Sequence, residues 1–422
     1  MQLLHLLPWL RKKGWQVGLA APEHGPISRQ LEASRIPVFI DKTFLTDASH
    51  TRLAEICAQF DLVVANTIVS WPVVRVAHRL RAPVIWYLHE TLVAVRLMGQ
   101  IPEIQPTLRM ANLLVTPTDR TADVYRDISD TPVTVAPYGI PAPPLARKVK
   151  HGPQEFVTLG SFEPRKGQDV LLEAIALLNG SSPSFFRMAG RVLDADFFAR
   201  LQTASAALPN VTLLNALDHA AAMALLHEAD VLISPSRDET MPIVILEAMG
   251  AGKAVITTDV GGVREWIHNE LNGLVVPPEN PEALAAAVAR CAKDRELGDQ
   301  LGAASRRTFD RHFTLDRFAT RFAELIDLVR AGKIQRRAAS SISYQEWIAQ
   351  FDAATPGGAL ILRRRVRAML RQPLISVVLP VYNPDLSILA AAIESVEHQT
   401  YQHWELCIAD DASTNPDVRP FL

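Results

Sequence analysis

Two glutamates, Glu239 and Glu247, are separated by seven residues in the run Ser236–Gly252, which reads SRDETMPIVILEAMGAG. Pro242 suits the first position of a helix and Gly252 its C-terminal cap. The run therefore predicts Glu239 in a loop and Glu247 inside the helix that follows. Ile243, Val244, Ile245, Leu246, Ala248 and Met249 make that helix apolar nearly all round. A carboxylate there needs a partner, because an unpaired buried charge is very costly. One partner is an Arg or Lys of a neighbouring element; another is the diol of a ligand. The open N–H groups of Thr240 and Met241 can meet an anion or sugar hydroxyls.

Two cations, Arg165 and Lys166, stand in the stretch Ser161–Gly167 (SFEPRKG), just before a predicted helix Gln168–Leu178. Cations at a helix N-terminus add to its dipole and make an anion site. Arg offers a two-pronged fork and Lys a point charge, a pairing suited to a diphosphate. The bland reading is a solvated surface pair. The glycine pair Gly261-Gly262 allows close backbone approach to a ligand, or is simply a turn. His89 follows the apolar run VIWYL, where a histidine is often structural. Asp410 and Asp411 follow a second-strand pattern near the C-terminus, where such a pair is often a turn.

These residues need a scaffold of strands. Short β-rich runs alternate with helical stretches: Gln16–Ala20, Pro37–Ile40, Leu62–Asn66, Val84–His89, Leu113–Thr116 and Val133–Ala136. A second series is Phe156–Gly160, Phe185–Ala189, Val211–Leu214, Val231–Ser234, Ala254–Thr258 and Gly273–Val276. Most are continuous apolar runs, as in parallel strands buried on both faces. Two series of βαβ units imply two doubly wound domains, residues 1–140 and 154–332, divided by a Pro-rich linker at Pro141–Pro153. A helical region spans Pro281 to Gly332. After a linker-like stretch, Lys333–Ser341, a third α/β unit covers 342–422. It has a basic helix (Leu362–Leu370), strands Ile375–Leu379 and Trp404–Ala409, and a helix Leu386–His398. In doubly wound sheets ligands sit outside the carboxyl ends of the strands, where the loops with Arg165, Glu239 and Gly261 fall.

The 422 residues predict two to three domains at roughly 150 residues each. Hydrophobic residues are 48% and charged residues 21%, which excludes a disordered chain. Lys and Arg total 43 against 45 Asp and Glu, so no nucleic-acid footprint is expected. Cys57, Cys291 and Cys407 lie too far apart in sequence for a disulfide framework or zinc motif. No apolar run reaches the roughly 18 residues of a membrane span. The N-terminus is apolar before it is basic, unlike a secretory signal, and predicts an amphipathic helix with Leu3, Leu7 and Leu10 on one face. These features place the chain in the cytoplasm, with peripheral contact at the inner face of a membrane open to it.

The Glu239–Glu247 run, Arg165-Lys166-Gly167, Gly261-Gly262 and Asn272-Gly273 occur in an order that resembles glycosyltransferase family 4 over about residues 1–330. The resemblance implies an α/β protein with two facing Rossmann-like domains, the GT-B architecture. It implies a retaining enzyme that uses a nucleotide-diphosphate sugar, needs no cofactor and acts on a glycan or lipid-linked acceptor. Arg165 and Lys166 would hold the donor diphosphate and Glu247 the ribose hydroxyls. Glu239, with Thr240 and Met241, would hold the donor sugar, with Gly261 and Gly262 beside it. His89 would face that sugar across the cleft. Retention is then same-face attack, with no covalent role for Glu239. The chain departs from the pattern in starting at the helix after the expected first strand and glycine-rich loop. Tyr138 stands where the family has Asn, and the turn at Ala189–Arg191 is reduced.

The run Ile375–Asn383 (ISVVLPVYN), Ser395–Tyr401 and Trp404–Ser413 resemble the opening of glycosyltransferase family 2, with the GT-A fold. Pro380, Tyr382, Asp410 and Asp411 would then line a nucleotide pocket. A complete domain of that family takes a divalent metal, whose ligands would follow Leu422. The reading is a fused pair of transferases for bacterial-type surface polysaccharide, cut at both ends. Its alternative is a non-catalytic nucleotide-sugar-binding or scaffolding module.

Overall fold

The computed structural model describes residues 2–46, 50–145, 152–178, 184–334, 366, 372–399 and 401–422. The chain divides into two compact units, 1–337 and 338–422. Most of the linker-like stretch 333–341 and, apart from Val366, the basic stretch 362–370 lie outside the described residues.

The first half of unit 1 holds strands β1 (Leu19–Ala21), β2 (Val38–Ile40), β3 (Val63–Asn66), β4 (Val84–Tyr87), β5 (Leu113–Thr116) and β6 (Val133–Val135). Helices α1 (Gln2–Lys12), α2 (Pro26–Ala33), α3 (His50–Cys57), α4 (Trp71–Arg79), α5 (Leu92–Gln100), α6 (Ile104–Leu108) and α7 (Asp119–Arg126) connect them. Among the described residues β3-β4-β5-β6 form one parallel sheet, while β1 and β2 pair separately. Every residue of β4 and β5 is buried, as continuous apolar runs require of strands covered on both faces.

The second half holds β7 (Gln154–Leu159), β8 (Ser184–Ala189), β9 (Val211–Leu214), β10 (Val231–Ser234), β11 (Ala254–Thr258) and β12 (Leu274–Val276). Its helices are α8 (Gln168–Leu177), α9 (Ala195–Ser205), α10 (His219–Glu228), α11 (Ile243–Gly250), α12 (Pro281–Lys293), α13 (Arg295–His312) and α14 (Leu315–Arg330). The strands form a parallel sheet in the order β9-β8-β7-β10-β11-β12. That is the doubly wound order, with its reversal between β7 and β10.

Helix α14 turns back onto the first lobe. Phe318 and Phe322 pack on Tyr87, with ring centroids 6.2 and 5.3 Å away. Arg330 meets Asp61 at 2.8 Å, and the Trp9 indole donates to Asp316 at 2.8 Å. One continuous core runs from Leu6, Leu10 and Tyr87 to Met241, Leu246 and Phe322. Helix α1 carries the expected face, with Leu3, Leu7 and Leu10 all lining one cavity, and a second, more deeply packed one beside it. Its buried stripe is Leu6 and Leu10, at 1% and 4% exposure, which pack into this core. Leu3 and Leu7 are half-buried and line a cavity of about 880 Å³ between the edges of β1 and β3. Leucines at 3, 4, 6, 7 and 10 supply both faces, and tertiary packing buries the second more deeply.

In unit 2, β13 (Ile375–Val381) and β14 (Trp404–Asp410) pair in parallel, with α15 (Leu386–Glu397) between them and α16 (Val418–Phe421) after. Among the described residues no helix is long and apolar enough to cross a membrane.

Phe322 has no exposed surface and fills the space between Tyr87 and Phe318. Replacing Phe322 by Ala should cost about 3–5 kcal/mol in denaturant unfolding. A loss below about 1 kcal/mol would show that α14 does not fasten the first lobe.

Candidate functional site

The loops after β7 and β10 flank the point where the strand order reverses. After β7 the chain makes a single 3-10 turn, Pro164–Lys166, and enters α8 through Gly167. Gly167 has φ +66°, and a Cβ there would lie 2.1 Å from the Pro235 carbonyl oxygen of the loop after β10. Only glycine lets the two loops press together so closely.

They are also joined by charge. Lys166 Nζ forms a short ion pair with the Glu239 carboxylate, and Arg165 Nη1 lies 3.2 Å from the same oxygen. Arg165 also reaches Glu163 at 3.0 Å and the Asp238 carbonyl at 3.1 Å. Lys166 is 20% exposed and Glu239 11%, so this is no solvated surface pair. Sequence reasoning missed its brace. Arg237 holds Asp169 at the start of α8 with two bonds of 2.8 and 2.9 Å, and its N–H donates to the Arg165 carbonyl at 2.8 Å. Arg237 sits inside the quoted run, so listing every charged residue between the two glutamates would have found it.

Pro242 caps α11 instead of starting it: its backbone is extended, with ψ 125°, and the helix begins at Ile243. Thr240 and Met241 therefore lie in the extended approach. The Thr240 hydroxyl donates to the His89 carbonyl of the first lobe. The Met241 side chain is buried in the core, so a ligand could meet only its backbone. Glu247 is 11% exposed and its partner is His219, with Nε2 2.8 Å from Oε1. The expected Arg or Lys partner is thus a histidine from the first position of α10. Burial raises the Glu247 carboxyl above its ordinary value, and the His219 bond works against that rise.

The glycine pair lets neighbouring protein pack where a side chain would otherwise stand. A Cβ on Gly261, at φ +53°, would lie 1.6 Å from the Glu239 carbonyl oxygen. One on Gly262 would lie 2.3 Å from Thr118. Protein fills both spaces, and the Gly262 N–H donates to the Thr240 carbonyl at 2.8 Å. Nearby, the Glu265 carboxylate crosses to the first lobe and accepts the N–H groups of Asp119 and Arg120 at 2.9 and 2.8 Å. An anion at the N-terminus of α7 suits the helix dipole. Asn272 binds the Trp266 carbonyl at 2.8 Å and Thr308 at 3.0 Å, a structural role.

His89 lies at the carboxyl end of β4, but both its ring nitrogens are engaged. Nδ1 is 2.8 Å from the Tyr138 hydroxyl and Nε2 2.9 Å from Asn66 Oδ1. An acceptor oxygen at Asn66 puts the proton on Nε2 and leaves Nδ1 to accept from Tyr138. Burial lowers the His89 value to about 4. The ring expected to face the donor is thus a neutral, satisfied group within the first lobe. Asn66, the last residue of β3, was missed, and Tyr138, three residues beyond β6, was noted only as a departure from the family pattern.

In unit 2, Val381 and Asp410 are register partners, so the loops bearing Pro380, Tyr382, Asp410 and Asp411 adjoin at the carboxyl ends of two parallel strands. The Asp411 N–H donates to the Val381 carbonyl at 2.8 Å, and Asn383 Oδ1 accepts from Thr414 and Asn415 at 2.8 and 2.9 Å. Tyr382 is exposed. Among the described residues no three His, Cys, Asp or Glu side chains cluster to hold a metal ion. Asp410 and Asp411 alone are too few oxygen ligands for a dedicated cation cage.

Two parallel α/β lobes, the second doubly wound with a charged cluster at the reversal of its sheet, make a GT-B glycosyltransferase fold. The sequence matches agree: residues 1–142 match Glycosyltransferase Family 4, residues 146–308 match Glycosyl transferases group 1, and residues 376–420 match Glycosyl transferase family 2. The chain belongs to family 4 of the glycosyltransferases over its first unit, followed by a family 2 segment. Glycogen synthase of Mycobacterium tuberculosis is 30% identical over 207 residues, 48% of this chain and 50% of that protein. The chain thus spans about half the length of the first curated relatives it matches. The D-rhamnosyltransferase WbpZ of Pseudomonas aeruginosa is 25% identical over 321 residues, 70% of this chain and 82% of that protein. The crystal structure of Anabaena Alr3699/HepE in complex with UDP-glucose superposes with a TM-score of 0.66 at 19% identity, covering 77% of this chain and 94% of that one.

The neutral His89 makes a pH prediction. Its value is about 4 when folded, below the ordinary 6.5. Between those values the unfolded chain binds more protons, so stability falls as pH falls from about 6.5 towards 4. Denaturant midpoints at pH 7 and 4.5 should therefore differ less in His89→Gln, by on the order of 2 kcal/mol. An unchanged difference would show that His89 charges freely in the folded protein.

Proposed function

We propose that the first unit transfers a sugar, with retention, from a nucleotide-diphosphate sugar to a glycan or lipid-linked acceptor. The observation that carries this reading is the convergence of Arg165 and Lys166 on Glu239 at the β7–β10 reversal. Without a donor, Glu239 and Glu163 pair with the two cations. An arriving diphosphate is the stronger anion and takes over both, through a two-pronged bond from Arg165 and a charge from Lys166. Glu239 is then released toward the sugar hydroxyls. Glu247, on the helix that the same loop opens, takes the ribose diol.

Breaking the sugar–phosphate bond builds negative charge on the leaving diphosphate. Arg165, Lys166 and the open N–H groups of Ile243 and Val244 at the start of α11 stabilise it. No step requires a metal. The acceptor hydroxyl attacks from the face the diphosphate leaves, so Glu239 forms no covalent bond. His89 contributes as a neutral wall of the cleft, held by Asn66, Tyr138 and Thr240. The relatives act as a glycogen synthase and a rhamnosyltransferase, and one neighbour was solved with UDP-glucose. These names favour a role in building a polysaccharide from a sugar nucleotide. The family 2 segment favours a chain in which two transferases act in succession. Pro380, Tyr382, Asp410 and Asp411 would serve its nucleotide.

The test is calorimetric binding of UDP, GDP, ADP and inorganic pyrophosphate. Lys166→Ala should weaken every binder about tenfold or more, the magnitude of one charge-assisted bond. Glu239→Gln should tighten pyrophosphate several-fold, because it frees the two cations, while abolishing sugar transfer. A Lys166→Ala variant with unchanged affinities would refute the diphosphate site. Tight nucleotide-sugar binding with no transfer to any acceptor would favour a binding module instead.

A further inference from the structure

The one side chain that meets the Glu247 carboxylate among the described residues comes from outside the motifs. His219 opens α10, and its place is set by Asp218, whose carboxylate accepts the Ala221 N–H at 2.8 Å and caps that helix. From there the imidazole reaches across, and Nε2 comes within 2.8 Å of Glu247 Oε1. The two residues differ sharply in surroundings. His219 is 65% exposed, while Glu247 is 11% exposed on a helix whose next residues, Ala248 and Met249, are fully buried. The pair lines a cavity of about 560 Å³ that is also bounded by His5, Met223, His227 and the Pro141–Pro144 stretch. Glu247 thus borders this cavity together with the more exposed histidine.

We propose that His219 is a positioning residue for the donor site: its Nε2–H holds Glu247 in the rotamer that receives the vicinal diol of the nucleotide ribose. The inference rests on the reading of Glu247 given above. A carboxylate has about four lone-pair sites. Oε1 can accept from His219 and still take one hydroxyl, while Oε2 takes the other. Without His219 the carboxylate keeps its desolvation cost and loses its partner, so it is free to turn away from the ribose or to take up a proton. Glutamine in place of the histidine can still donate an N–H to Oε1. The diphosphate end is held by Arg165 and Lys166 on other loops, so the effect of His219 is confined to the nucleoside end.

The experiment compares wild type, His219→Ala, His219→Gln and Glu247→Ala in calorimetric binding of three probes. These are the nucleoside diphosphate that wild type binds best, its 2′-deoxy form, and inorganic pyrophosphate. His219→Ala should weaken the ribonucleotide about tenfold, the value of one hydrogen bond to a charged group. The 2′-deoxy form should lose less than threefold, and pyrophosphate should not change. His219→Gln should recover most of the loss. Equal loss for all three probes would mean a general disturbance of the fold and would overturn the proposal. So would wild-type affinity in His219→Ala, or a loss that His219→Gln does not repair. Glu247→Ala separates the two layers. If it leaves the ribonucleotide unaffected, the ribose reading itself fails; if it weakens the ribonucleotide while His219→Ala does not, only the role of His219 fails.

Discussion

A buried carboxylate shared by two cations is the constraint on which the second lobe depends. Glu239 is held by Lys166 and Arg165, three charges brought together by two loops that are 73 residues apart in sequence. Taking these groups out of water is costly unless each is paired. Here the pairing is possible only because β7 and β10 are neighbours in the sheet. The sheet order creates the crevice, Gly167 lets the loops close to backbone contact, and Arg237 ties the crevice to the first turn of α8. Glu163 balances the second cation through Arg165, so the crevice holds two cations and two carboxylates.

The second constraint acts between the lobes. Thr240 binds the His89 carbonyl, Gly262 rests against Thr118, and Glu265 caps α7. Two of these three come from the glycine loop, and the third from the loop that carries Glu239. The loop that carries Glu239 and the glycine loop therefore also fix the opposite wall. A side chain at Gly261 or Gly262 would disturb both at once.

Much of this was legible in the sequence because the chemistry is local. The helix after Pro242, the loop with Arg165 and Lys166, and most strands of the second half follow from apolar runs and turn residues within a few positions. What was not legible depended on contacts across the fold. The need of Glu247 for a partner could be deduced from its apolar helix, but His219 lies 28 residues away with no motif to mark it. An Arg or Lys of a neighbouring element and a ligand diol were the two partners the sequence offered, and a histidine was neither. At Gly261-Gly262 the sequence signalled a close approach, and in the fold it is Glu239, Thr240 and Thr118 that a side chain there would meet. Five leucines give α1 two apolar faces, and only the shape of the core it meets decides which is buried more deeply.

His89 illustrates a further limit. Its position after β4 pointed to the cleft, and it does border Thr240 of the opposite lobe. Its chemistry, however, is set by Asn66 at the end of β3 and Tyr138 three residues beyond β6, on either side in the sequence. A histidine with both nitrogens satisfied and its charged form disfavoured by burial is a poor proton carrier at neutral pH. Its neutral ring, held by Asn66 and Tyr138, leaves a rigid, uncharged surface on the first lobe, and its carbonyl meets Thr240 of the loop that carries Glu239.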